Sequence, residues 1–485
     1  MSNVVDDHEF QNEESNCESS MDADKVAATD LDDDGRPRRT GTVWTASAHI
    51  ITTVIGSGVL SLAWGVAQLG WAAGVFTILV FACITFYTSS LLADCYRSPQ
   101  PLSGSRNYTY MQTVNSYLGG AMSFACGSVQ YANLTGMIIG YTITASLSMV
   151  AIRKSNCHYK RGREAECRYS GNPYIIGLGV FEIFLSQIPN FHKLAWLSAI
   201  AALMSFGYAS IGTGLTIAKL ISGQGKRTSL KGSEVGANLS AAQKTWSMFR
   251  AFGDIAFAFT YSQILIEIQD TLKSSPPENK VMKKANLIGV LTTTTFYVMC
   301  GCFGYAAFGS NAPENMLTGF GFDEPFWLID LANVFIVVHL AGAYQVNAQP
   351  VFSAFESWAS TRWHKSKFVK YEYPISIGKI NLRISLLRLT WRSAFVATVT
   401  MVAMALPFFN EIIALLGAIG YWPMTVYFPV EMCIAQKQIK RRTFRWVGLQ
   451  VLNLACLLLA VAAACGSIQG LNEAFHTYKP FKSKE

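Results

Sequence analysis

Val54-Ile55-Gly56-Ser57-Gly58-Val59-Leu60 interrupts an apolar run that extends from about Val43 to Ala67. Two glycines flank a serine near the midpoint of a membrane-length segment. Such a break frees backbone N–H and C=O groups at membrane depth. Lipid cannot satisfy them, so they must be buried in protein or face a polar cavity. Half-helix ends at the midplane are one way to hold a small ion or zwitterion. The stretch therefore predicts a carrier-type membrane fold.

The rest of the composition agrees. Of 485 residues, 51% are hydrophobic and only 14% charged, against roughly 25% charged in soluble domains. Long uncharged runs alternate with short charged clusters, the pattern of an all-α polytopic membrane protein. The net charge of +8 belongs to the loops. No basic stripe with interleaved aromatics suggests a nucleic-acid partner. Most of the cysteines (Cys83, Cys126, Cys300, Cys302, Cys433, Cys456, Cys465) fall inside apolar spans, as small hydrophobes do. Cys157 and Cys167 share one polar loop, where a disulfide requires an extracellular or lumenal setting.

Eleven spans can be marked, at approximately 42–68, 71–95, 117–151, 173–190, 194–221, 246–271, 285–308, 325–356, 388–407, 410–435 and 446–470. Residues 1–40 read as a disordered, acidic cytosolic tail without a signal peptide, 41–470 as the transmembrane domain, and 471–485 as an extracellular tail. Lysine and arginine are richer in the loops that a cytosolic N-terminus would place inside, around 273–284, 362–388 and 437–445. The basic 152–172 loop opposes that choice. The Cys157/Cys167 pair and the sequon at Asn238 support it. Spans one to five and six to ten can form two inverted halves, with the eleventh peripheral. The sixth span would then mirror the first, yet Gly253-Asp254-Ile255-Ala256-Phe257-Ala258-Phe259-Thr260-Tyr261-Ser262-Gln263 offers no Gly or Pro at its expected break.

Several longer motifs resemble plant amino acid permeases of the amino acid/auxin permease family. They include Thr40-Gly41-Thr42-Val43-Trp44-Thr45-Ala46-Ser47-Ala48-His49 and the break itself. Arg106-Asn107-Tyr108-Thr109-Tyr110-Met111, Ile266-Glu267-Ile268-Gln269-Asp270-Thr271, Cys300-Gly301-Cys302-Phe303-Gly304-Tyr305 and Trp422-Pro423-Met424-Thr425-Val426-Tyr427-Phe428-Pro429 continue the match. The resemblance covers essentially everything after residue 35. It implies eleven spans, an inverted five-plus-five repeat with broken helices one and six, and proton-coupled amino acid uptake at the plasma membrane.

Every free amino acid carries a carboxylate and an ammonium, so a broad-specificity carrier should bind these with backbone. Taken alone, Gly56-Ser57-Gly58 fits a packing notch between helices as well as a binding loop. The resemblance favours the loop. The carboxylate is then expected at the N–H groups of Gly56, Ser57 and Gly58, at the positive end of a half-helix. Freed carbonyls of Val54, Ile55, Phe257, Ala258 and Thr260 would take the ammonium. Phe257, Phe259 and Tyr261 are candidates to close over the cargo, and Asn133 and Asn333 to shape its side-chain pocket. Each equally suits core packing or interhelical bonding.

Proton coupling needs an ionisable group at depth. His49, His339 and Asp254 are the candidates, each against the alternative of a satisfied bundle residue. Glu267 and Asp270 suit gate salt bridges. Sodium is the rival ion, but span eight offers Asn333 and His339 rather than paired hydroxyls. No cofactor or metal motif is present, and no HExxH or GxSxG marks an enzyme. The leading function is a proton/amino-acid symporter for neutral amino acids first, with acidic or basic ones as further cargo. An auxin-type influx carrier and an amino-acid sensor with little net flux are the alternatives. The expected partners are the amino acid and the lipid bilayer. The sequence does not give an oligomeric state.

Overall fold

A computed structural model describes residues 38–162, 165–188, 195–234, 240–320, 325–377, 380–406 and 409–477, together with Asp32, Asp34 and Gly35. Asn238, most of the 1–40 tail and the end of the 471–485 tail lie outside the described residues.

The chain opens with α1 (Val43–Val54), started by Thr42, whose hydroxyl accepts Thr45 N–H while Thr45 Oγ1 accepts Thr42 N–H. This reciprocal cap satisfies two orphan donors. The long α2 (Gly58–Asp94) is divided by Gly70, at φ 81°. A Cβ there would stand 2.3 Å from Gly232 N, so only glycine lets the 230–232 loop pass. Then come α3 (Tyr110–Leu118), α4 (Gly120–Arg161), α5 (Asn172–Leu185) and α6 (Ala195–Ile221). α7 (Ala241–Ala258) and α8 (Leu265–Gln269) are followed by α9 (Glu278–Phe308), α10 (Phe326–Arg362) and the short α11 (Lys367–Lys370). A hairpin, β1 (Glu372–Ile377) with β2 (Ile380–Ser385), pairs Glu372 with Ser385 and Ile377 with Ile380. α12 (Leu386–Ala405), α13 (Phe409–Gly420), α14 (Phe428–Gln436) and α15 (Phe444–Thr477) complete the chain.

Among the described residues, eight helical stretches are long and apolar enough to cross a membrane. Large hydrophobics such as Phe124, Leu203, Leu291 and Leu458 point outward, as lipid-facing residues do. The protein is a mostly helical membrane protein.

Two segments differ from the apolar pattern. The run expected as a loop over 152–172 is helical as far as Arg161, and Cys157 in that last part of the helix forms a disulfide with Cys167 beyond it, with Cα atoms 6.0 Å apart. The run 410–435 is not one continuous α-helix. Between α13 and α14, Tyr421–Tyr427 is wound as a π-helix. Pro423 and Pro429 lack the N–H groups an α-helix needs there. The Tyr110 hydroxyl reaches into this segment and donates to Met424 O at 2.7 Å.

Small residues bring the helices together, as expected where lipid supplies no hydrophobic drive. A Cβ on Gly417 of α13 would stand 2.1 Å from Gly253 O on α7. One on Gly304 of α9 would stand 2.5 Å from the Ala63 Cβ of α2. These contacts fix α7 and α9 around the broken first helix.

Candidate functional site

The first helix ends at Val54. Ile55 leaves helical geometry (φ −79°, ψ 74°) and still donates to Ile51 O, while Gly56 N–H turns back to Val54 O at 2.9 Å. α2 restarts at Gly58. Its first N–H groups have no intrahelical acceptor, as at any helix start. Ser57 is 1% exposed, and its hydroxyl has no hydrogen-bond partner among the described residues.

Opposite it, α7 stops at Ala258. Phe259 leaves helical geometry (φ −104°, ψ 6°), residues 259–261 belong to no helix, and a 3₁₀ turn over Ser262–Ile264 leads into α8. The second break thus exists without the Gly or Pro that would mark it in sequence. Side-chain hydroxyls replace the lost helix bonds. Thr260 Oγ1 donates to Ala256 O at 2.7 Å, and Ser262 Oγ meets Ser89 Oγ at 3.0 Å. The two breaks adjoin. A Cβ on Gly58 would stand 3.1 Å from Ala258 Cα and 3.2 Å from the Phe257 ring.

Three tyrosine and serine hydroxyls serve the freed carbonyls. Tyr297 of α9 reaches Ala258 O at 2.8 Å and also bonds Val54 O. Tyr208 of α6 is 3.0 Å from both Ile55 O and Gly56 O, and Ser205 Oγ is 3.0 Å from Ile55 O. The carbonyls of Val54, Ile55 and Ala258, expected to await an ammonium, are therefore already bonded. Each retains a second lone pair.

His339 of α10 completes this wall. Its Nδ1 lies 2.8 Å from Ser205 Oγ and 3.0 Å from Ala201 O. The Ala201 carbonyl can only accept, so Nδ1 carries the proton in a neutral ring. Nε2 is then left as an acceptor, buried and without a partner among the described residues. It faces the break, because a Cβ on Gly56 would stand 3.6 Å from Nε2 and 3.7 Å from the Tyr141 hydroxyl. That hydroxyl is buried too.

The other expected residues are placed differently. His49 is buried in α1 more than a turn before the break, and its carbonyl accepts Thr53 Oγ1. Asp254 is fully buried in α7, one turn before the second break. Asn133 donates to Leu416 O at 2.8 Å and lies against Gly420, between α4 and α13. Asn333 donates to Ile329 O within its own helix. Phe257 and Phe259 are buried, the latter edge-on to Tyr297 at 5.2 Å, and Tyr261 donates to Asn286 at 3.4 Å. Glu267 accepts from Tyr110 N and Gln130 Nε2, both at 3.2 Å, rather than from a cation. Among the described residues no group of three or more His, Cys, Asp or Glu could hold a metal.

Ion-pair networks lie at both ends of this core. At one end Arg39, just before α1, meets Glu278 at 2.9 Å and Asp32 at 2.6 Å, and Arg97 meets Glu278 at 2.6 Å. Tyr96 donates to Asp270 at 2.7 Å and accepts from Arg39 at 3.1 Å. At the other end Arg250 of α7 binds Glu411 and Glu314, each at 3.2 Å, and lies 4.2 Å over the Trp64 ring of α2. Asp270 was expected at a gate and lies in the first of these networks, whereas Tyr297, Tyr208, Ser205, Tyr141 and the other network members escaped the sequence reading. The available signal was a set of hydroxyls inside apolar helices, which need partners when buried, but their partners are distant in sequence.

Residues 39–472 match the family described as transmembrane amino acid transporter protein. The chain is 56% identical over 469 residues to amino acid permease 8 of Arabidopsis thaliana, covering 96% of this chain and 99% of that one. It is 55% identical over 481 residues to amino acid permease 1 of the same plant, covering 98% and 99%. Its fold is similar to that of MhsT in complex with L-phenylalanine (TM-score 0.55, 10% identity, 89% and 100% of the two chains). It is also similar to Mhp1, a nucleobase-cation-symport-1 family transporter (TM-score 0.52, 12% identity, 91% and 94%). At these identities the structural likeness shows the fold, and the sequence match shows the rest: the chain belongs to the transmembrane amino acid transporter family, a family of transporters and not of enzymes.

Proposed function

We propose that the chain is a proton-coupled amino acid symporter of the plasma membrane, importing neutral amino acids first. The observation that carries this reading is His339. It holds Ser205, which bonds the freed Ile55 carbonyl, and it turns an unpartnered Nε2 toward Gly56. A proton taken at Nε2 converts the ring to imidazolium and adds a positive charge beside the carboxylate position. The free N–H groups at the start of α2 and the Ser57 hydroxyl hold that carboxylate. Cargo and proton then stabilise each other.

The reading takes α1 with the first part of α2 as span one, and counts eleven spans with a cytosolic N-terminus and an extracellular C-terminus. Span six (α7 and α8) is the inverted counterpart of span one, and α15 is peripheral. The adjacent breaks and the likeness to known carriers support it. The Arg39 network then seals the cytosolic side and the Arg250 network the extracellular side.

The driving force is sufficient. One proton moving inward gains about 2.3 kcal/mol per 100 mV and roughly 1.4 kcal/mol per pH unit. With one to two pH units the total is on the order of 4–5 kcal/mol, which supports about thousandfold accumulation. The test is uptake of a panel of labelled amino acids at several external pH values, with current recorded. Inward current that grows with external acidity supports the reading. Saturable binding without accumulation would contradict it and favour a sensor.

A further inference from the structure

A groove of about 500 Å³ opens where the end of α10, the short α11 and the start of α12 meet. It takes no part in the transport site. Phe355, Trp363, Phe368 and Trp391 form most of its wall, with Ser366 and Thr390 at its polar points. The aromatic framework is built in: Phe355 stacks on Trp391 at 3.8 Å. Trp363 and Phe368 remain about half exposed, at 47% and 43%. Such aromatics are typical of the membrane–water boundary.

The surrounding charge defines what the groove would hold, because it is one-sided. Within 355–371 and 385–392 the one acid outside the hairpin is Glu356, and it is taken by Arg392 at 2.6 Å and Arg388 at 3.3 Å. Arg362, Lys365 and Lys367, chain neighbours of the lining residues Trp363, Ser366 and Phe368, are exposed and make no ion pair to a described residue.

We propose that this groove is a binding site for one anionic phospholipid. An acyl chain lies along Trp363, Phe368 and Trp391. The headgroup phosphate sits over Arg362, Lys365 and Lys367. A bound lipid would brace the corner between α10 and α12. There Arg392, one residue after Trp391, also donates to Ser186 O and Ile188 O after α5, both at 2.7 Å. The site therefore links the leaflet to the end of α5 and to α10, the helix that carries His339.

The test is retention of lipid by the purified full-length chain in mild detergent, offered equal phosphatidylserine and phosphatidylcholine and read by native mass spectrometry. The wild type should retain one phosphatidylserine preferentially. Each rim cation near the surface contributes about fivefold, so R362Q/K365Q/K367Q should lose the preference by on the order of a hundredfold. W363A/F368A keeps the cations and removes the apolar wall. It should lower retention of phosphatidylserine while the triple variant's elution profile stays that of the folded protein. Equal retention of the two lipids by the wild type, or an unchanged preference in the triple variant, would overturn the proposal.

Discussion

The Tyr297 hydroxyl lies 2.8 Å from the Ala258 carbonyl, and the same oxygen bonds Val54. One side chain on α9 thus ties together the ends of both interrupted helices. Removing it in Tyr297→Phe leaves two buried carbonyls one donor short, at a cost of about 1–3 kcal/mol. Thermal unfolding in detergent should move down by several degrees, and uptake should fall sharply. Unchanged stability and uptake would show that the bridge has no role.

The two glycines of the break should respond differently. A Cβ on Gly58 meets Ala258 and Phe257 at 3.1–3.2 Å, whereas one on Gly56 meets only His339 and Tyr141, at 3.6–3.7 Å. Gly58→Ala should therefore lower stability by pushing the breaks apart. Gly56→Ala should fold normally and raise the KM for amino acid, because it fills space beside Nε2. Gly56→Val should abolish uptake while surface expression remains, whereas Gly58→Val, which crowds the second break further, should abolish uptake and lower surface expression as well. Wild-type kinetics in either valine variant would remove the carboxylate site from this position.

Gly417 is a packing position. Its added Cβ would stand 2.1 Å from Gly253 O and 2.5 Å from Phe257 N, both backbone atoms of α7. Gly417→Ala must separate α7 from α13, at a cost of about 1–3 kcal/mol for overpacking. Lower thermal stability with a folded elution profile is the expected result. A variant as stable as the wild type would show that α7 and α13 slide freely.

Arg250 should matter to kinetics more than to stability. The Arg250 side chain is 15% exposed, against 14% for Glu411 and 36% for Glu314, and the amide of a glutamine keeps a hydrogen-bond donor for these carboxylates. Arg250→Gln should shift unfolding little but change the transport rate, since it unties α7 from α13, the 309–320 segment and Trp64. Comparing initial uptake rates with the thermal midpoint decides this. A large loss of stability with normal rates would make it a purely structural residue.

The first break was legible because Gly56-Ser57-Gly58 writes it into local composition, and the helical spans were legible from uncharged runs. The second break was not readable from spacing. Its bonds come from Thr260, Ser262 and Tyr297, residues whose types do not announce an interruption. His339 was visible as an ionisable group in an apolar helix. Its relation to Ile55 was not, because it passes through Ser205, 134 residues away from His339 in the chain. Asn133 and Asn333 read as pocket residues for being polar in apolar helices, yet both spend their amide donors on backbone carbonyls. Composition marks a buried polar group but does not say which carbonyl will satisfy it.

The most direct test uses His339→Gln in proteoliposomes. An amide in place of the imidazole keeps hydrogen-bonding capacity but cannot take up a proton. Exchange of labelled for unlabelled amino acid should persist, because the backbone site is intact. Accumulation driven by an imposed inward proton gradient should be lost. A variant that still accumulates amino acid against its gradient as the wild type does would contradict the coupling of proton and cargo at this histidine.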